Sequence, residues 1–223
     1  SNPDALKWLP LIRQLLYESK NKQAEDLYRQ NFICTGLGGE DPKYGGYQTL
    51  GTFHLDFSEM NFSEKTASNY IRYLSLNEAI SKTSFNLKFY GNNAKFSREY
   101  FVSIPENVIV IKLTTENIPL KFSFTLDRPE KAEIHNENNT SKMKGMLNSG
   151  DLTKEGVKFY EESRVVFKTE NDAIIIISGA TDYKKIIRGE EHWDYNSIIE
   201  EVEDNINRAS SIFYDTLRDM HIG

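Results

Sequence analysis

Residues 95–113 read KFSREYFVSIPENVIVIKL, and the fold turns on whether Arg98 with Glu99 opens an active site or the stretch only builds a sheet. Successive side chains of an extended chain point to opposite faces. Phe96, Arg98, Tyr100 and Val102 therefore share one face, and Ser97, Glu99, Phe101 and Ser103 the other. Arg98 and Glu99 point apart and cannot act as a local pair. Pro105 has no N–H for a ladder and marks a corner between strands. Beyond it, Val108 to Ile111 is expected to be a strand buried on both faces, between stacked sheets.

The same period of two runs outward. TFHLDF at 52–57 alternates Phe53, Leu55 and Phe57 with Thr52, His54 and Asp56, and SFNLKFY at 84–90 does so with Phe85, Leu87 and Phe89. Gly91, Asn92 and Asn93 tolerate positive φ and supply a hairpin turn into the opening stretch. Further strands are expected at Lys121 to Leu126, Gly156 to Glu161, Ser163 to Thr169 and Asp172 to Ser178, with HNENNTSKMKG at 135–145 as a polar connection.

Helical spacing marks both ends of the chain. Leu6, Leu9, Ile12, Leu15 and Leu16, then Ala24, Leu27 and Tyr28, recur at helical intervals, with Asp4 available as a cap and Pro10 opening the second helix. From Tyr195 to Met220 the stripe Ile198, Ile199, Val202, Ile206, Ala209, Ile212, Phe213 and Leu217 predicts one helix of about seven turns at 3.6 residues each, capped by Asp194 or Asn196. That stripe needs a partner, which a missing domain could supply. The fold expected is mostly β: an antiparallel β-sandwich with N-terminal helices and a long C-terminal helix.

Composition narrows the function. A net charge of -6 and a pI near 5.4 argue against nucleic-acid binding, which needs clustered Lys and Arg. The longest apolar stretch, around Ala173 to Ile177, is far short of the roughly 20 residues of a membrane helix. The single Cys34 excludes an internal disulfide. The chain starts at Ser1 without a signal-like segment, so it reads as a piece of something longer.

Motifs for chemistry are sparse. TGLGGEDPKYGGY at 35–47 lacks the Lys-Ser/Thr ending of a phosphate loop. The 33 acidic residues bring carboxylates together by chance, so a glycosidase pair cannot be inferred from them. The four His residues show no i, i+4 pair, and no metal site is expected. His54 falls on the polar phase of its strand. His192 with Trp193 could line a sugar site, although packing is the ordinary role of a Trp. No G-x-S-x-G elbow occurs. Asn61-Phe62-Ser63, Asn138-Asn139-Thr140 and Asn139-Thr140-Ser141 match the glycosylation pattern, usually by accident in an Asn-rich chain.

Several blocks nevertheless line up in order: NPDALKWLPLIRQLLYESKNKQAEDL, GGYQTLGTFHLDF, YIRYLSLNEAISKTSF, KFSREYFVSIPENVIVIKL, GVKFYEESRVVF and AIIIISGATDYK. In this combination, with Tyr47-Gln-x-Leu-Gly51, Arg98-Glu99-x-Phe101 and Thr181-Asp182-Tyr183, the chain resembles the N-terminal β-domain of the family 95 glycoside hydrolases, the α-L-fucosidases. The resemblance implies a supersandwich over residues 1–190 and the start of a helical linker over 191–223, leading to an (α/α)6 catalytic barrel. It implies an inverting hydrolase of fucosylated glycans, bacterial and exported, whose catalytic acids belong to the barrel. No catalytic residue, metal or cofactor is then expected in this chain, and its substrate-binding residues stay unassigned. The partners implied are the glycan and the barrel, with no nucleic acid and no membrane. His221 would be a linker residue with a packing role. The family's opening strands precede the residues that match Asn2 to Asp4, so an exposed sheet edge is expected here. The alternatives are a free-standing carbohydrate-binding module and a related hydrolase or phosphorylase of the same architecture.

Overall fold

The computed structural model describes residues 4–32, 49–60, 67–89, 92–128, 132–148, 155–183 and 194–223. The chain divides into two compact units, 1–48 and 49–223. In the first, a 3-10 turn at Ala5–Trp8 runs into α1 (Leu9–Tyr17), with Pro10 in its first turn, followed by α2 (Asn21–Asn31). Ser19, at φ 59°, turns the chain between them. Asp4 makes no cap hydrogen bond and instead pairs with Lys7, contrary to its expected role.

The second unit is built on one antiparallel sheet of eight strands. Their order is β2 (Ala67–Ser75), β3 (Ile80–Phe89), β4 (Asn92–Ser103), β5 (Val108–Glu116), β10 (Asp172–Thr181), β9 (Glu155–Thr169), β8 (Thr140–Asn148) and β7 (Glu133–Glu137). A smaller sheet pairs β1 (Thr52–Asp56) with β6 (Ser123–Asp127). On one face of the large sheet lie α3 (Tyr195–Ser211) and α4 (Tyr214–Ile222), packed against Ile80, Phe101, Val110, Ile174 and Ile176. On the other, Phe53, Leu55, Phe57, Phe122 and Phe124 of the small sheet and its flanks meet Leu87, Phe96, Leu113 and Ile175. The arrangement is mostly β and sandwich-like, with helices near the two ends of the chain.

β10 is the strand buried on both faces: Ala173 to Ser178 are buried without a break. Val108 to Ile111 is not. Val108 and Val110 are buried beneath the helices, but Ile109 is 41% exposed. The reason is extent, since five-residue strands span only about 17 Å and leave part of that face uncovered. Pro105 does mark the corner, between Ser103 and Val108.

Three other expectations are corrected. Gly156 to Thr169 is one continuous strand, not two, because Glu161 and Glu162 continue the ladder instead of breaking it. HNENNTSKMKG is a hairpin, β7–β8, and its Asn138 adopts φ 44°, a conformation Asn tolerates. The terminal helix is broken, because Ile212 and Phe213 are extended. The break lets α3 lie on β9 and β10 while α4 reaches β4. Asp194 caps α3 as expected, accepting from the Ser197 N–H at 3.0 Å.

The apolar stripe of the terminal helices also has its partner within this unit. Ile198, Val202, Ile206, Ala209 and Leu217 are each 0–1% exposed against the sheet, whereas Phe213 of the same stripe is 82% exposed at the break, so most of the stripe does not wait for a missing domain. At one edge of the sheet β2 stays exposed, with Tyr70, Ile71, Tyr73 and Leu74 between 51% and 61% accessible.

Candidate functional site

A strand that reads YEESRVVF at 160–167 places two carboxylates side by side inside an apolar run. The pleat separates them. Glu162, fully buried, turns toward α3 and receives Arg164 Nη2 at 2.7 Å, Lys142 Nζ at 3.5 Å and the Tyr160 hydroxyl at 3.4 Å. Lys142 also reaches Glu203 of α3 at 3.0 Å, and Arg164 donates to Asn207 at 2.8 Å. Burial would lower the Lys142 pKa, but the two carboxylates outweigh it and raise it. Burial, with the Glu162 charge beside it, pushes the Tyr160 phenol up to about 12. A second polar seam docks the far end of α3: Arg208 Nε meets Glu106 at 3.1 Å, and Asn205 donates to Ser178, which donates to the Asn107 carbonyl.

Glu99 works on the same face. It accepts from the Tyr214 hydroxyl and lies 3.3 Å from Arg218 Nε and 3.6 Å from Lys82 Nζ. Burial, then the hydrogen bond to Glu99, pushes the Tyr214 phenol far up. His221 stacks on Phe101 with centroids 4.6 Å apart, which gives it the packing place expected. Arg98 turns to the other face, 5.7 Å from the Tyr100 ring centroid. The dipeptide therefore serves two layers.

Glu161 points away from the helices into the layer that holds Arg128, Met143 and Phe159. Burial pushes its carboxyl up to about 7 against the opposing pull of Arg128. Arg128 donates to the Thr49 and Leu50 carbonyls at 2.6 and 2.7 Å and lies 4.4 Å from the Phe159 ring centroid. Gly51 fits here because a Cβ would lie 2.6 Å from Met143 Cε and 3.1 Å from Glu161 Oε2. Asp182, fully buried, accepts from the Lys158 N–H at 2.9 Å and so extends the β9–β10 ladder. Each of these motif residues has a packing task in the fold.

His54 is on β1, 4.0 Å from Asp127, and more than half exposed. Cys34, the loop at 35–47, His192 with Trp193, Asn61-Phe62-Ser63 and the Gly91 turn lie outside the described residues. Among the described residues no group of His, Cys, Asp and Glu is placed to hold a metal ion, and no helix is long and apolar enough to cross a membrane. An apolar crevice with a cavity volume of about 10 Å³ lies at the helix break, lined by Val166, Ile174, Ala209, Ile212 and Leu217. That is room for about one water, far below the roughly 300–1,000 Å³ of a ligand pocket. Glu161, Glu162, Lys142 and Arg128 carry no spacing signal. Glu161 and Glu162 show in sequence only as charge inside a run otherwise fit for burial, while Lys142 and Arg128 stand in polar stretches that give no sign of their role.

A glycosidase pair needs two carboxyl groups facing one open cleft. Glu161 and Glu162 face opposite layers, and Glu162 and Glu203 share a lysine under a helix. A family model described as "Glycosyl hydrolase family 65, N-terminal domain" matches residues 1–186. Alpha-L-fucosidase 2 of Arabidopsis thaliana is 31% identical over 93 residues, which is 42% of this chain and 10% of that protein. The matched part thus spans a tenth of the relative's length.

Proposed function

The chain belongs to the glycosyl hydrolase family 65 N-terminal domain family, and from that premise we propose that it is the non-catalytic β-domain of a larger α-L-fucosidase-like glycoside hydrolase. The match over residues 1–186 carries this reading, and the 31% identity to an α-L-fucosidase favours fucosylated glycans as substrates. The parent would then be an inverting enzyme of the family 95 type, exported by a bacterium. Its acid and base stand in a helical barrel, where one carboxyl protonates the glycosidic oxygen and the other activates water on the opposite face of the sugar. This chain packs beside that barrel, with residues 191–223 leading toward it, and the described acids hold layers together instead of doing chemistry.

An aryl α-L-fucoside offered to the full-length parent and to this chain alone tests the reading. The expected result is hydrolysis by the parent only, with β-L-fucose as the first anomer seen by proton NMR. Hydrolysis by the chain alone, or a parent inert toward α-L-fucosides, contradicts it.

A further inference from the structure

On the face of the large sheet away from the helices, β2, β3 and β4 align Arg72, Thr83 and Arg98 directly opposite one another. The next row of that face holds Leu74, Ser81 and Tyr100. The Cβ atoms of side chains so paired on neighbouring strands lie about 5 Å apart, which roots an arginine on either side of one threonine. Thr83 is 5% exposed, and its Oγ1 has no hydrogen-bond partner. Arg98 Nε is also buried without a partner. Among the described residues, neither guanidinium has a carboxylate within ion-pair distance. Glu99, the nearest acid in sequence, is on the opposite face with Tyr214, Arg218 and Lys82. The Tyr100 phenol is held below its usual range by the Ser81 hydroxyl first, then by Arg72 and Arg98 after the opposing effect of burial. That direction fits local positive potential.

Buried donors are nearly always satisfied, and an unsatisfied one calls for a missing water or ion. Two unsatisfied groups facing each other across a strand pair, flanked by a second guanidinium, share one remedy. Guanidiniums recognise carboxylate, sulfate and phosphate oxygens through their planar fork of donors. We propose that Arg72, Thr83, Arg98 and Tyr100 form a binding site for a small oxyanion group: a sulfate, a phosphate or a carboxylate. Arg72, exposed at the sheet edge, is the solvent-facing jaw, and Arg98 with Thr83 is the floor. The site is independent of the activity assigned to the parent.

Calorimetric titration of the 223-residue chain with inorganic sulfate, inorganic phosphate and acetate, at constant ionic strength in chloride, tests this. One saturable site is expected for at least one of the three. Tightest binding of sulfate or phosphate assigns the site to an ester oxyanion, and tightest binding of acetate assigns it to a carboxylate. Arg72→Gln and Arg98→Gln should each weaken binding at least about 10-fold. Thr83→Val should weaken it by about 3- to 10-fold without lowering the unfolding midpoint, because its hydroxyl makes no bond in the free protein. Lys88→Gln, an exposed position elsewhere on β3, should change nothing. If Arg98→Gln does not fold, Arg72→Gln and Thr83→Val decide the matter. Absence of saturable binding for all three anions, or binding unchanged by Arg72→Gln and Thr83→Val, overturns the proposal.

Discussion

Glu161 and Glu162 occupy consecutive positions of β9, so the pleat sends their carboxyl groups into different layers with different chemistry. Glu162 has cations on two sides, whereas Glu161 is buried with its carboxyl pushed up to about 7. Below about pH 4.5 Glu161 is protonated both folded and unfolded and costs nothing. Between about 4.5 and 7 the unfolded chain loses a proton that the folded chain keeps, so stability falls as pH rises. Above about 7 the whole penalty applies, roughly 3 kcal/mol at 1.36 kcal/mol per pKa unit. Glu161→Gln should therefore become more stable relative to the wild type as pH rises from 4.5 to 8. Urea midpoints across that range check it, and parallel curves would contradict it. Gly51→Ala should cost about 1–3 kcal/mol by overpacking, because the displaced Met143 is itself fully buried; the denaturation midpoint reads this directly.

Among the elements, those whose apolar residues alternate were legible in sequence, because one buried face is enough to impose a period of two. β1, β3 and β4 are of this kind, whereas β10, buried on both faces, was legible as a continuous apolar run. The β7–β8 hairpin was not, since its strands carry Glu133, Asn136, Lys142 and Lys144 and bury Met143 on one side only. The helix break was not legible either. Ile212 and Phe213 are neither Gly nor Pro, and what extends them is the pull of two docking surfaces, β9–β10 for α3 and β4 for α4. The polar seams were hidden for the same reason: Glu99 meets Tyr214 across 115 positions, a distance no local motif spans. Ile206→Ala, at the centre of α3, should cost about 2–5 kcal/mol of unfolding free energy. Tyr214→Phe removes one bond from a partly buried carboxylate, so hydrogen exchange over 214–222 should quicken while α3 keeps its protection. Equal loosening of both helices would show that they open as one.

At the scale of the whole 49–223 unit, the large sheet lies between two covers, helices on one side and β1 with β6 on the other, and each cover is fastened by both apolar contact and charge. Removing residues 194–223 would bare Phe101, Val110, Ile174 and Ile176, an apolar expanse of the kind that drives aggregation; the truncated chain should be insoluble where the intact one is not. The helices thus belong to this domain's own core, and the carboxylates beneath them are fasteners. Amide hydrogen exchange in the 223-residue chain alone tests that claim most directly. Protection over 195–211 comparable to that of β10 is the expected result, while exchange of 195–211 as a free helix, with β10 still protected, would contradict it.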